Sequence, residues 1–187
     1  MKDTNLIGTE ITLNELEKEI VLLTAQCRTE NNVANNMGSR LNVDYDTDQA
    51  EILGVAGELA HAKMLNLFPD FSISLRSSVL KHDTWDIMLP NGLSVDVKTT
   101  QYYQGKLISP IHKNYSGDLF ALWVLVNKDD WSTLEFRGYF EQEELHKKER
   151  IGVLPRQTTE NYMAHQDELK ELKDVKVTYE TISQMDS

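Results

Sequence analysis

Asp86, Asp96 and Lys98 fall in the segment Asp83-Thr-Trp-Asp-Ile-Met-Leu-Pro-Asn-Gly-Leu-Ser-Val-Asp-Val-Lys98. If they meet, they can hold a hard divalent cation and act on a water or phosphoryl group beside it. The turn at Pro90-Asn91-Gly92 decides whether they do. A two-residue Asn-Gly loop pairs Leu89 with Ser94 and sets Asp86 opposite Val97. A three-residue loop uses Pro90 and Asn91 in a type I turn and Gly92 in the left-handed position; it pairs Leu89 with Leu93, Ile87 with Val95 and Asp86 with Asp96. The three-residue loop is the expected one. Pro suits the first central position, and this register gathers Trp85, Ile87, Leu89, Leu93, Val95 and Val97 on one apolar face. Asp86, Ser94, Asp96 and Lys98 then share the other. Directly opposed side chains lie about 4.5–5.5 Å apart at Cβ, where two carboxylates repel unless a cation or proton intervenes. Oxygen ligands suit Mg²⁺, with Mn²⁺ able to substitute; zinc would prefer sulfur or imidazole.

Lys98 lies two residues beyond Asp96 on the same face, so its ammonium can reach a group bound there. It can orient or help deprotonate a water, or neutralise developing phosphorane charge. A third carboxylate is Glu58, bracketed by Gly54, Gly57 and Ala62, small residues that let a helix approach a sheet closely. The plainer readings are an exposed hairpin face with an ordinary ion pair, and a solvated helix glutamate with Glu51 as its rival.

These residues need a scaffold. Thr12 and Glu15 read as a capping box, with Leu13, Leu16, Ile20 and Leu23 as the buried stripe of a four-turn helix broken by the Asn-rich run 31–39. Asp48 and Glu51 open a second helix with Ile52, Val55, Ala56, Leu59 and Ala60 buried, ending near Phe68-Pro69. From residue 72 the period becomes two, which predicts strands at 72–76, 84–89, 93–98, 105–109, 119–127 and 133–140. Leu119–Val126 is continuously apolar and reads as a central strand covered on both faces. A short helix is expected over 141–148 and a last one over 165–173. The fold class is α/β, a mixed α+β sheet in a single domain of residues 1–187. Within it, 1–47 form an N-terminal helix and Asn-rich loop, 48–140 the core, and 141–187 a helical and strand extension.

Glu58 in GVAGELAHAKML, Asp86 in WDIML and Asp96-Val97-Lys98 in SVDVKTT together resemble the PD-(D/E)XK nuclease superfamily, over roughly residues 48–140. The order matches: a helix glutamate, an aspartate on one strand, then D-x-K on the next. The Arg137-Gly-Tyr-Phe strand looks like small phage-type members. The resemblance implies a restriction-endonuclease-like core, a central mixed sheet flanked by helices, and metal-dependent hydrolysis of DNA, with RNA not excluded. Asp86 and Asp96 would bind Mg²⁺ with the Val97 carbonyl, Glu58 directly or through water, and Lys98 would assist the attacking hydroxide. It also implies a possible homodimer, and the cytoplasm of a bacterial or phage-infected cell.

Charge complicates this. Thirty acidic against nineteen basic residues give −11, which opposes general affinity for phosphate backbones. Residues 97–117, however, hold Lys98, Lys106, Lys113 and three tyrosines with no acid. A second basic cluster is His146, Lys147, Lys148, Arg150 and Arg156. Gln101, Tyr102, Lys106 and Lys113 are therefore candidate substrate contacts, against the plainer reading of a solvated strip. The five histidines have no metal-ligand spacing; His61 reads as the next-turn neighbour of Glu58, and His82 lies near the hairpin. The lone Cys27 excludes an internal disulfide and reads as a small core residue of an intracellular chain. No apolar run approaches the roughly 20 residues of a membrane span. Two other functions fit the composition: an inactive nucleic-acid-binding module on the same fold, and an acidic interaction or inhibitor protein using residues 1–60, where eleven acids meet four bases.

Overall fold

The computed structural model describes residues 5–34, 47–69, 85–111, 117–155 and 157–175. The expected strand at 72–76, together with His82, Lys113 and Arg156, lies outside them.

The chain opens with β1 (Glu10–Thr12) and α1 (Glu15–Ala34). Thr12 ends the strand instead of capping the helix. The reciprocal pair is Asn14 with Glu17: the Asn14 N–H donates to Glu17 Oε2 (2.7 Å) and the Glu17 N–H to Asn14 Oδ1 (3.0 Å). The buried stripe of α1 also differs from expectation. Val21, Thr24 and Ala25 are buried, while Leu16 and Leu23 are 66% and 63% exposed. Small side chains let α1 lie close to α2 (Thr47–Met64), and this packing outweighs the modest helix penalty of the asparagines. Cys27 is half-buried. Helix α2 stops at Met64, short of Phe68. Asn66 adopts the left-handed conformation (φ 54°), Leu67 N–H bonds Ala62 O (2.8 Å) and Asn66 N–H bonds Lys63 O (3.1 Å), which together form a Schellman ending.

The hairpin of β2 (Ile87–Met88) and β3 (Ser94–Thr100) has the three-residue loop. Ile87 pairs with Val95 and Met88 with Ser94; Gly92 N–H bonds Leu89 O (2.9 Å), and Gly92 has φ 87°. Two expectations fail here. Trp85 is 41% exposed instead of joining the apolar face. Asp86 is not directly opposite Asp96. Its N–H donates to Val95 O (2.9 Å), already the partner of Ile87, so two residues face one across a bulge.

The remaining strands are β4 (Leu107–Pro110), β5 (Leu119–Asn127), β6 (Asp130–Glu141), β7 (Ile151–Val153) and β8 (Glu160–Ala164), with α3 (Gln142–Leu145) and a short 3-10 turn ahead of β7, and further 3-10 turns after β8. The main sheet has the order β1-β6-β5-β3-β2, mixed because β3 and β5 run parallel. As expected, β5 is central and buried on both faces. Val95, Val97, Ala121 and Trp123 pack with α1 and α2; Phe120, Leu122 and Phe140 pack with Leu107, Leu145 and Ala164. That second face is covered by a small sheet, β4-β8-β7, and not by helices alone as the family resemblance implied. The helix expected over 165–173 does not form. Lys170 and Tyr139 exchange backbone hydrogen bonds (2.8 Å each), which splits the segment into 3-10 turns at Gln166–Glu168 and Leu172–Asp174.

Helix α2 touches β3 at Gly57, where a Cβ would fall 1.9 Å from Thr99 Oγ1 and 3.2 Å from Thr99 Cβ. Gly54 has no such contact. Gly57→Ala is expected to destabilise the protein by about 1–3 kcal/mol through overpacking, despite a helix-propensity gain of up to ~1 kcal/mol. Urea unfolding checks this; an unchanged or higher midpoint would show that the contact is not tight.

Candidate functional site

Among the described residues, β2 covers β3 only as far as Val95, so from Asp96 onward the outer edge of β3 has no neighbouring strand. Three elements bring acids to this edge. Alternation along β3 places Asp96 and Lys98 on the face of their register partners Phe120 and Leu122, while Val97 faces α2. Asp86 comes from the hairpin bulge and uses Oδ2 to accept the Val97 N–H (2.7 Å), a donor the missing ladder would leave unpaired. Glu58 comes from the middle of α2, next to the Gly57 contact.

Each acid has a partner. Lys98 Nζ lies 2.5 Å from Asp96 Oδ1 and 5.8 Å from the centre of the Phe120 ring. Both Glu58 oxygens accept from Arg28 of α1, Nη1 to Oε1 and Nη2 to Oε2 at 2.7 Å each. This planar fork is the strongest geometry available to such a pair.

The groups share one electrostatic environment. Burial, then the charges of Glu58 and Asp96, push the Asp86 carboxyl well above its usual range; Lys98 and the Val97 N–H offset this only in part. Glu58 is raised by burial and by Asp96, against the opposing pull of Arg28 and Lys98. Burial works to lower the Arg28 pKa, but Glu58, Asp86 and Glu51 outweigh it and leave it raised. Among the described residues, three carboxylates thus face two cations in a poorly solvated place. A cation or a proton relieves that imbalance.

Glu58, Asp86, Asp96 and Lys98, singled out in the sequence, lie within electrostatic reach of one another. Gln101, Tyr102 and Lys106 follow on the loop after β3, with Gln101 and Lys106 half-buried and Tyr102 exposed. The basic cluster after α3 is largely neutralised: Lys147 bonds Glu144 (2.7 Å) and Arg150 bonds Glu168 (2.8 Å). Among the described residues no group of three or more His, Cys, Asp or Glu side chains stands ready to hold a metal ion. No described helix is long and apolar enough to cross a membrane.

Sequence reading missed one neighbour of the site, Arg28, and placed another, His146, only in a basic cluster. Arg28 carries no local signal, because its partner lies thirty residues away across the α1–α2 packing. His146 follows α3, with Nε2 3.1 Å from Ser109 Oγ and its ring 4.7 Å from that of Tyr162; burial lowers its pKa while Asp96 raises it. His61, in contrast, is a core residue. It is fully buried, its Nδ1 accepts from Trp123 Nε1 (3.1 Å), and its Nε2 lies 3.3 Å from the Tyr139 hydroxyl.

A protein family described as a family of unknown function, DUF5843, matches residues 4–181. The chain belongs to DUF5843. No curated protein and no solved structure matches it. The family description assigns no activity, so the chemistry of this DUF5843 protein has to be argued from the acidic edge of β3.

Proposed function

We propose that this DUF5843 protein is a Mg²⁺-dependent nuclease that hydrolyses phosphodiester bonds in DNA, on a restriction-endonuclease-like core. One arrangement carries the reading: Glu58 from a helix, Asp86 from the hairpin and Asp96 and Lys98 from a strand gather in one poorly solvated place, where Asp86 accepts the Val97 N–H and Lys98 pairs with Asp96, at a stretch of β3 that among the described residues has no neighbouring strand on its outer side. Purely structural acids have no reason to gather where each raises the cost of ionising the next.

Asp86 and Asp96 fit Mg²⁺ in donor type and charge, with the Val97 carbonyl as a further oxygen. Glu58 fits less directly, since Arg28 holds both its oxygens; it acts through water, or after Arg28 releases it. Bound there, the ion would supply Lewis-acid chemistry to the phosphodiester. Lys98 would orient the attacking water and neutralise charge developing on the phosphoryl oxygens, and Asp96 holds its ammonium in place. Arg28 adds a planar donor fork suited to a phosphate.

The test is cleavage of plasmid, linear and branched DNA with Mg²⁺ or Mn²⁺, against an EDTA control. Cleavage that needs the divalent ion is expected. None on any substrate overturns the reading.

A second reading follows from the pairing of Arg28 with Glu58 and of Lys98 with Asp96: a self-neutralised ion cluster in a nucleic-acid-binding module without catalysis. Calorimetric titration with Mn²⁺ separates the two. The nuclease reading expects binding that Asp86→Ala abolishes, whereas the second expects no binding by wild type.

A further inference from the structure

Three residues beyond Lys98 the chain enters a loop that exposes two aromatic rings, Tyr102 and Tyr103, at 52% and 51%. The loop is firmly held. Gly105 N–H bonds Tyr102 O (2.8 Å), and Tyr102 N–H bonds Thr100 Oγ1 (3.3 Å). The Gln166 side-chain amide, from the far end of the chain, donates to both Tyr103 O (2.8 Å) and Gly105 O (2.7 Å). A Cβ at Gly105 would fall 2.9 Å from Tyr102 O, so the turn admits only glycine without moving backbone. The Arg137 guanidinium stacks on the Tyr103 ring at 4.2 Å. Its Nε and Nη2 are buried and without a hydrogen-bond partner, so the stack, with the Glu135 contact at 3.0 Å, is what positions it.

Residues 101–104 and 125–128, the latter at the β5–β6 turn, enclose a shallow groove of about 490 Å³. Its lining combines the two tyrosines, the amides of Gln101, Gln104 and Asn127, and Lys128, with no acid. Asp129 and Asp130 follow Lys128 in the same turn, so Lys128 is the one cation the lining offers an anionic group, and the aromatic and amide lining supplies the rest of the fit. Flat rings suit unstacked bases, amides suit base edges, and a lysine suits the backbone phosphate. Tight duplex binding favours a broad cationic surface, which a net charge of −11 opposes.

We infer that this groove binds single-stranded DNA leading away from the acidic edge of β3, with a base stacked on Tyr102 and a phosphate on Lys128. The choice of occupant rests on the nuclease reading. Because the loop backbone that carries Tyr102 is held in place before binding, capture orders little beyond the side chains.

Fluorescence anisotropy of a labelled oligothymidylate, in EDTA to prevent cleavage, tests this apart from catalysis. Wild type is expected to prefer the single strand over a hairpin duplex. Tyr102→Ala should weaken binding about tenfold or more, within the range measured for base–aromatic stacks. Lys128→Gln should flatten the salt dependence by about 0.7 in log–log slope, the loss of one phosphate contact. Circular dichroism melts should match wild type for both variants. No binding by wild type, binding indifferent to both substitutions, or equal affinity for duplex overturns the inference. Tyr102-sensitive binding in a protein that cleaves nothing leaves the groove standing and removes the nuclease reading. Cleavage with Tyr102-independent binding does the reverse.

Discussion

Lys98→Ala is expected to slow divalent-dependent DNA cleavage by about 10²–10⁴-fold, the range for a positioned acid–base or charge-stabilising group. Its ammonium lies 2.5 Å from Asp96 Oδ1 and shares the edge of β3 with Asp86 and Glu58. Removing it takes one of two cations from among three acids, so the site becomes more negative. Mn²⁺ binding should therefore persist or strengthen while the rate collapses. Asp96→Asn should lose both, because it removes a ligand and releases Lys98 together. Initial rates on plasmid DNA, paired with Mn²⁺ calorimetry, separate the two roles. Variants that cleave at the wild-type rate would sink the assignment of chemistry to this edge. A Lys98→Ala protein that loses metal binding along with activity would recast the lysine as structural.

The largest stability effect is expected at His61. The ring is fully buried against Trp123, Phe136 and Tyr139, with centroids at 6.1, 5.7 and 5.5 Å. Since Trp123 Nε1 donates to Nδ1, the neutral ring carries its proton on Nε2 and donates to the Tyr139 hydroxyl. His61→Ala opens a cavity and leaves the buried indole N–H unpaired, at a cost of about 3 kcal/mol or more. For a chain of this size that lowers Tm by roughly 6–12 °C.

The same residue imposes a pH dependence. Burial depresses the His61 pKa to about 3, so the folded protein refuses a proton that the unfolded chain accepts near 6.5. Its contribution is complete above pH 6.5 and erodes as pH falls towards 3, by up to ~1.4 kcal/mol per pH unit. Asp86 and Glu58 act in the opposite sense. Their pKa values are raised on folding, so their contribution is present at low pH and lost as pH rises through the folded value. Subtracting the unfolding free energies of His61→Gln from those of wild type between pH 7 and 5 cancels the carboxylates and isolates the histidine. The difference should shrink as pH falls, and a pH-independent difference would place His61 in contact with solvent.

Local rules explain why much of this fold is legible from the chain. Pro90-Asn91-Gly92 demands a type I turn closed by a left-handed glycine, and that turn dictates the register of β2 and β3. The run Leu119–Val126 suits only a strand buried on both faces, and β5 is the central strand of the main sheet. Where locality ends, so does legibility. The leucines of α1 suggested the wrong stripe, because the helix seats Val21, Thr24 and Ala25 on α2 and leaves Leu16 and Leu23 outside. The helical pattern of 165–173 gave way to the exchange between Lys170 and Tyr139, a pairing across thirty residues that no propensity encodes.

Spacing along one strand sufficed to put Asp96 and Lys98 on a common face, because a strand's period of two is a covalent property. Spacing could also nominate Glu58 through the small residues around it, of which Gly57 proves to be the contact. Only the folded chain determines that Arg28 occupies Glu58, that the bulge turns Asp86 onto the Val97 N–H instead of facing Asp96, and that among the described residues no strand pairs with the outer edge of β3 beyond Val95. Turns and alternation arise from neighbouring bonds. Ion pairing and desolvation depend on which distant segments share a dry volume, and tertiary packing alone sets that.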